Sequence, residues 1–211
     1  MAKIPDGLLG HVSGGIGPLV GSKWKGLSVI RSRPPLKRRK SSESQLKQMA
    51  KMALVSSFVQ PLSGFLNRYY PLTLNMSSFN RAISYNMRNA IDGDYPDFRI
   101  SFTRVLLGVG DLLQVDMPLT VSELPGYLYF SWTDNSFTGS ARATDRMFVA
   151  VYCGELKQWI TKENGPSRNA FSYTLDVSAF SGKSVQTYIG FASDDAKYVT
   201  TSLYTGSVNI L

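Results

Sequence analysis

From residue 98 to the C-terminus the chain alternates apolar and polar residues with a period of two, which is the pattern of half-buried β-strands. Short turns rich in Gly, Asn, Asp and Pro separate the alternating stretches at regular intervals. The pattern predicts seven strands, at residues 98–108, 111–121, 126–133, 146–153, 170–177, 184–192 and 198–210. A chain with many short strands of this kind folds into a sandwich or a barrel of antiparallel sheets.

Residues 42–97 follow the helical period of 3.6 instead. Ser42 and Gln45 have the spacing of a capping box, which predicts the start of a helix that Pro61 ends or kinks. Its predicted apolar stripe consists of Leu46, Met49, Ala53, Leu54, Val55 and Phe58. A second helix is predicted from Ser78 to Ile91, with Gly93 as its left-handed stop. Its apolar face consists of Phe79, Ala82, Ile83, Met87, Ala90 and Ile91.

Positive charge is concentrated at the start of the chain. Residues 1–51 contain eleven of the 23 Lys and Arg residues and two of the 15 acidic residues, so their net charge is +9, and the remainder has a net charge of −1. This asymmetry indicates an arm that meets something anionic. Within the arm, residues 7–33 combine many glycines with short apolar pieces, which predicts a pair of short irregular strands that are too small to be stable alone.

The patterns together predict a mainly β protein with a small α part. The expected division is a basic Gly-rich arm at residues 1–41, a helical segment at 42–97 and a β-sandwich at 98–211. Residues 31–40 contain six basic residues and two prolines, so this part of the arm is expected to be extended and solvated.

The arm holds nine candidate contacts to an anionic partner or a nucleic acid. Lys and Arg neutralise phosphates and release counterions, which gives sequence-independent and salt-sensitive binding, and a Trp can stack on a base. A solvated arm, an acidic protein surface and a membrane surface remain open as alternatives. The candidates are Lys23, Trp24, Lys25, Arg31, Arg33, Lys37, Arg38, Arg39 and Lys40.

Residues suited to catalysis or metal binding are sparse, so we expect no enzyme, no cofactor and no metal. His11 is the one histidine, and Cys153 is the one cysteine, in a run that predicts a core residue. Residues 17–23 lack the Gly-Lys-Ser/Thr order of a phosphate loop. The adjacent Asp194 and Asp195 suit a turn better than a converging carboxylate pair. Trp159 is interpreted either as a sugar-binding aromatic or as a residue packed beneath the Asn164 loop.

The expected location is the cytoplasm or an assembled particle. The sequence contains no run of 18 apolar residues, and its N-terminus lacks the apolar stretch of a signal peptide. Export by a route without such a signal remains open.

Residues 118–211 resemble a fibronectin type III domain. Residues 127–132 look like its second strand, which ends in a core tryptophan, and residues 147–152 look like its third strand. The strands expected after these are similar to residues 172–175, 185–192 and 200–203. The stretch from Asp134 to Asp145 is long for this fold. The resemblance implies an antiparallel sandwich and no catalytic residue.

The whole chain also resembles a family of uncharacterised bacterial proteins. The residues that carry the resemblance are 14–26, 30–34, 77–82 and 86–96. The resemblance implies no activity. It implies that the arm, the helices and the sandwich belong together as one unit.

Two hypotheses of different classes follow. The first is a non-enzymatic assembly subunit, for instance of a virion-like or surface particle, in which the arm contacts a neighbouring subunit by adding its strands. The alternative is a sequence-independent nucleic-acid-binding protein that acts through the basic arm. Assembly is favoured because it explains the Gly-rich strands and also tolerates the charge.

Overall fold

The computed structural model describes residues 10–35, 40–71 and 76–211. The chain divides into two compact units, residues 1–42 and residues 43–211. The boundary that was predicted at residues 41 and 42 lies one residue from this division. The boundary predicted at residues 97 and 98 lies inside the second unit, because the helices and the sandwich share a hydrophobic core there.

The first unit is a three-stranded antiparallel meander. Its strands are β1 (Gly14–Ile16), β2 (Leu19–Trp24) and β3 (Leu27–Ser32), with β2 in the centre. The sequence predicted a pair of strands here, and the third arises because the chain turns twice at glycines, after Ile16 and after Trp24.

The second unit begins with three helices, α1 (Glu43–Val59), α2 (Ser63–Tyr69) and α3 (Ser78–Asn89). A 3-10 turn that contains Pro61 joins α1 to α2. Proline is tolerated in the first turn of a helix because the backbone amide that it lacks would have no hydrogen-bond partner there. The side chain of Ser77 caps α3 by accepting a hydrogen bond from the Asn80 amide.

The first predicted helix starts where expected, but most of its predicted stripe is not in the core. Leu46 and Met49 are 41% and 61% exposed, and Ala53 is exposed as well. The buried residues of α1 are Val55, Phe58 and Val59, near its C-terminus. The 3.6-residue period predicted which side of the helix is apolar, but on that side only residues near the C-terminus of the helix are buried.

The predicted apolar face of α3 is confirmed, since Ala82, Ile83 and Ala90 are buried and Phe79, Met87 and Ile91 pack against them. The helix ends at Asn89 because Ile91–Asp92 (β4) pairs with Arg99–Ile100 (β5) in a two-stranded ribbon. Gly93, with a φ of 83°, therefore lies in the connection between β4 and β5 and is not the stop of the helix.

The remaining strands form two antiparallel sheets that enclose a core. They are β6 (Asp116–Val121), β7 (Tyr127–Thr133), β8 (Arg146–Cys153), β9 (Gln158–Lys162), β10 (Ser172–Asp176), β11 (Ser184–Ala192) and β12 (Leu203–Asn209). One sheet has the order β10-β7-β6 and the other β12-β11-β8-β9. Three strands facing four in this order form a fibronectin type III-like sandwich, so the predicted fold class is confirmed.

Two strand predictions differ from the structure. Residues 98–108 contain only the short β5 and a 3-10 turn at Phe102–Arg104, and the amides of Leu107 and Gly108 donate to the Ser202 hydroxyl instead of a strand partner. Of the predicted strand at 111–121, residues 116–121 form β6. Strand β9 was not predicted, because five residues with two adjacent apolar positions give too short an alternation.

The central strands of the four-stranded sheet, β8 and β11, are buried on both faces. The inner face of this sheet joins the sandwich core, which includes Phe130, Trp132 and Phe191. Its outer face packs against the helices, where the rings of Tyr69 and Phe148 stack with centroids 4.2 Å apart. Residues 43–211 therefore form one body with two hydrophobic clusters, and each cluster consists only of residues from this unit.

Trp159 takes neither of the two roles suggested by the sequence. Its indole Nε1 donates a hydrogen bond of 2.9 Å to the carbonyl oxygen of Phe58, and its ring packs against Phe58 and Tyr152. The ring therefore helps to hold the end of α1 on the four-stranded sheet, and it is not presented to a sugar or placed beneath the Asn164 loop.

Two buried tyrosines give opposite predictions for the loss of a hydroxyl group. Tyr70 is 3% exposed and its Oη has no hydrogen-bond partner among the described residues, so Tyr70→Phe is expected to raise the free energy of unfolding by about 1 kcal/mol. The Tyr188 hydroxyl donates to the Phe102 carbonyl at 2.8 Å, so Tyr188→Phe is expected to lower it by about 1 kcal/mol. Urea titrations measure both, and changes of the same sign would contradict this assignment.

Candidate interaction surface

The β2–β3 hairpin is set by a two-residue turn. Lys25 and Gly26 have φ values of 47° and 87°, and positive φ at both central residues defines the type I′ turn that suits twisted hairpins. Trp24 and Leu27 are consequently paired directly across the turn. This register determines which side chains share a face for the rest of the hairpin.

Residues paired across antiparallel strands point to the same side of the sheet. One side, which we call the Trp24 face, is formed by Val20, Trp24, Leu27, Val29 and Arg31. The opposite side carries Ile16, Leu19, Lys23 and Ile30. A Cβ at Gly21 would overlap the Val12 carbonyl, so the chain at Val12 crosses the opposite side and the Trp24 face is the more open of the two.

The apolar side chains of this sheet are exposed to a degree that is unusual for residues of their type. Trp24 is 62% exposed, Leu27 66% and Ile30 62%, and all six residues of β3 are exposed. Apolar groups gain free energy only when they leave water, so these side chains do not stabilise the first unit as it stands. The surface is therefore suited to being covered by another molecule.

The predicted contact residues are spread over this sheet and its surroundings. Lys25 lies in the turn with its Nζ 5.0 Å from the centre of the Trp24 ring, and Arg31 lies at the far end of the same face. Lys23 points to the opposite side, and Arg33, whose amide donates to the Pro18 carbonyl at 2.6 Å, follows β3. The structure thus places Trp24, Lys25 and Arg31 on or beside one face and separates Lys23 from them.

The other predicted cations add charge at the end of this unit. Lys40 is exposed, and Lys37, Arg38 and Arg39 lie outside the described residues. None of the described cations in residues 10–40 forms an ion pair with an acidic side chain in the described ranges. The positive charge of this unit is therefore available to a partner.

The candidate contact residues that the sequence analysis named are cations and Trp24, and they do not include the apolar residues that accompany them. Leu27, Val29 and Ile30 lie on both sides of an edge strand. The signal is present in residues 27 to 30, three of which are apolar, because they belong to a sheet too small to have an interior. The prediction that these strands are too small to be stable alone already indicates a contact outside the arm.

The second unit has a cleft of about 510 Å³ at one end of the sandwich, lined in part by Asp194 and Asp195. Asp194 pairs with Arg146 at 3.3 Å. Asp195 accepts hydrogen bonds from the Ser193 hydroxyl and the Lys197 amide, which hold its pKa at about 2. The two carboxylates have separate partners, Arg146 of β8 for Asp194 and residues of the turn itself for Asp195, which agrees with the turn interpretation.

Other candidate chemistry lies apart from this cleft. Cys153 is buried in the sandwich core, as predicted. Within the described ranges no three His, Cys, Asp or Glu side chains are grouped so that they could hold a metal ion. No helix in the described part of the chain is long and apolar enough to cross a membrane.

The strand order and the helical layer define a fibronectin type III-like sandwich with helices packed on its four-stranded sheet, and the first unit adds a separate N-terminal sheet with exposed apolar side chains. The chain belongs to a family of unknown function (DUF6266), whose model matches residues 11–206. The predicted resemblance to an uncharacterised family is thereby confirmed, whereas a bacterial origin stays a prediction.

One solved structure with similarity to the chain is the fn3 domain of human collagen alpha-1(XX) chain, in solution. The two are 12% identical with a TM-score of 0.37, and the match covers 49% of this chain and 89% of that domain. No curated protein matches the sequence.

Proposed function

We propose that the protein is a non-enzymatic assembly subunit and that its N-terminal sheet makes the contact between subunits. The second unit supplies a rigid body with two complete hydrophobic clusters. The first unit supplies the exposed apolar and cationic side chains. A particle or surface array is the kind of structure that such a subunit would build.

The observation that carries the proposal is the exposure of β3. It is an edge strand whose one partner within the described ranges is β2, and it presents Leu27, Val29 and Ile30 to solvent. Full burial of an aliphatic side chain is worth about 1.5–3 kcal/mol, so covering this strand would be strongly favourable. Natural proteins usually protect edge strands from pairing with other chains, so an exposed apolar edge strand supports a role as a binding surface.

Nucleic-acid binding is the second candidate, and the observation that favours it is the charge. Residues 1–42 contain nine Lys or Arg and one Asp, and Trp24 lies beside Lys25 in a position to stack on a base. This function accounts for the cations but needs none of the exposed aliphatic residues. For that reason it ranks second.

Paired variants of the full chain separate the two functions. Leu27→Thr with Val29→Thr removes apolar surface and retains strand propensity and charge, whereas Lys23→Gln with Arg33→Gln removes charge and retains apolar surface. For an assembly subunit, the first pair is expected to weaken self-association by about 30-fold, which corresponds to about 2 kcal/mol, and the second pair to change it little. Light scattering coupled to size exclusion measures the mass as a function of concentration.

Fluorescence anisotropy with random DNA and RNA at 50 and 200 mM salt tests the second candidate, nucleic-acid binding. A nucleic-acid-binding protein would lose affinity in the charge pair, would lose affinity with salt, and would be unaffected by the apolar pair. A wild-type chain that is monomeric at every concentration, or an apolar pair with the wild-type mass, would overturn the assembly proposal.

A further inference from the structure

The outward side of the three-stranded sheet in the sandwich is a second exposed apolar surface. We call it the Tyr129 face. Tyr127 and Tyr129 of β7 are 42% and 38% exposed, and Leu119 of β6 is 57% exposed. The register places further outward residues beside them, so the face consists of Leu119, Val121, Tyr127, Tyr129, Ser131, Ser172, Thr174 and Asp176, with Asp116 and Thr133 at its end. The helices pack on the other sheet, so this is the sheet surface of the sandwich that stays open.

The charge of the Tyr129 face is opposite to that of the N-terminal sheet. Residues 105–141 contain no Lys or Arg, and none occurs in β10. The acidic residues of these strands and of the β6–β7 turn are Asp116, Glu123 and Asp176. The Ser178 amide donates to the Asp176 carboxylate at 2.9 Å and lowers the pKa of that group, so Asp176 is ionised at neutral pH.

We propose that the Trp24 face of one copy docks on the Tyr129 face of a second copy. Both sheet surfaces present exposed aromatic and aliphatic side chains, and such residues are enriched at the centres of interfaces. The Trp24 face carries Arg31 and has Lys25 beside it, whereas the Tyr129 face carries Asp116 and Asp176, so their charges are complementary. This inference rests on the proposed function and identifies the partner as the sandwich of the neighbouring subunit.

The charge also argues against the main alternative, in which two β3 edges pair with each other. That arrangement would bring together two units that each contain nine Lys or Arg and one Asp, and like charges repel. Docking of unlike faces is heterologous, because each copy uses its Trp24 face for one contact and its Tyr129 face for another. Such contacts build open chains, whose mass rises continuously with concentration, or closed rings, whose mass reaches a fixed multiple of the subunit mass.

Two full-length variants that each lose one face test the arrangement. Trp24→Ser with Leu27→Thr disables the Trp24 face, and Tyr127→Thr with Tyr129→Thr disables the Tyr129 face. Each variant alone is expected to be monomeric at concentrations where the wild type assembles, with association at least about 30-fold weaker. An equimolar mixture keeps one intact face of each kind and is expected to form a single 1:1 dimer by light scattering.

The control is Tyr198→Thr, which removes a tyrosine that is 65% exposed and lies outside both faces. It should assemble like the wild type, and all variants should retain the wild-type circular dichroism spectrum. Raising the salt concentration from 50 to 500 mM should weaken wild-type association, because the contact joins unlike charges.

Each other outcome overturns the docking arrangement in a recognisable way. If the Tyr127 and Tyr129 variant keeps the wild-type mass while the Trp24 and Leu27 variant loses it, the assembly function stands and the docking site is wrong. Association that strengthens with salt indicates pairing of β3 edges. A wild-type chain that is monomeric throughout overturns both this inference and the proposed function.

Discussion

Replacing Arg168 with Met is expected to lower the free energy of unfolding by about 3–5 kcal/mol, the range measured when one partner of a buried ion pair is removed. Arg168 is fully buried, and its Nε lies 3.2 Å from the Asp145 carboxylate, which is also buried. The variant would leave that carboxylate uncompensated in the interior. This is the largest single-residue effect on stability that we expect.

Arg168 joins three chain segments at one end of the sandwich. Its guanidinium donates to Asn135 Oδ1 at 2.6 Å and to the Leu113 carbonyl at 3.0 Å, and it lies over the Phe191 ring. Burial lowers the pKa of Arg168, and the Asp145 carboxylate opposes that effect, so the side chain stays charged. The residues from 134 to 145, which are long for the fold, are held in place by these bonds.

Urea denaturation of the wild type and the variant measures the effect. The matched control is Arg146→Met, because Arg146 forms an exposed pair with Asp194 and such pairs contribute about 0–1 kcal/mol. A loss below about 1 kcal/mol for Arg168→Met would show that the ion pair does not organise this end of the sandwich.

Gly190→Ala is expected to lower the free energy of unfolding by about 3 kcal/mol, the upper range for overpacking a core. Gly190 is paired with Phe148 in the central strands, and a Cβ there would overlap the Phe148 ring. That ring stacks on Tyr69 of α2. The extra methyl group therefore displaces the contact that holds the helices on the sheet.

Thermal unfolding followed by near-UV circular dichroism measures this effect, because the aromatic signal reports the packing between the helices and the sheet. Gly64→Ala is the matched control: a Cβ at Gly64 has no neighbour within 4 Å, and alanine favours a helix over glycine by up to about 1 kcal/mol. Equal stability changes in the two variants would contradict the packing argument.

Much of the sandwich could be predicted from the sequence because the outward residues of β7 alternate with a buried set. Leu128, Phe130 and Trp132 point inward, and the residues between them do not. Strand β8 carries a further signal, because residues 147–153 are all buried and an uninterrupted apolar strand indicates a sheet covered on both faces. This run is therefore consistent with a second layer on the sandwich, which the helices supply.

The helices show what a local pattern cannot specify. The stripe on α1 has the correct period, but tertiary contacts decide that Val55 and Phe58 are buried and Leu46 is exposed. Helix α2 was missed because it is seven residues long and directly follows the 3-10 turn at Pro61. A short helix of this kind is stabilised by its packing, which no local period reveals.

For the candidate surface, composition predicted the charge but not which side chains lie on the same face of the sheet. The cations from Lys23 to Lys40 could be counted, but the register that places Trp24 beside Leu27 and separates both from Lys23 depends on a turn at Lys25 and Gly26. The opposing Tyr129 face could not be recognised, because exposed strand residues become a surface only once the sheet order is known. The contact roles of Lys37, Arg38 and Arg39 stay predictions.

The division of the chain at residue 42 also separates its charge. Residues 43–211 contain 14 Lys or Arg and 14 acidic residues, so all of the net positive charge belongs to the first unit. A protease that cuts near residue 42 would turn a protein with an isoelectric point of about 9.6 into one that is isoelectric close to neutrality. The clipped product would leave a cation-exchange column in the flow-through. It would be least soluble near neutral pH, where its own net charge is close to zero while the intact chain carries a charge of +8.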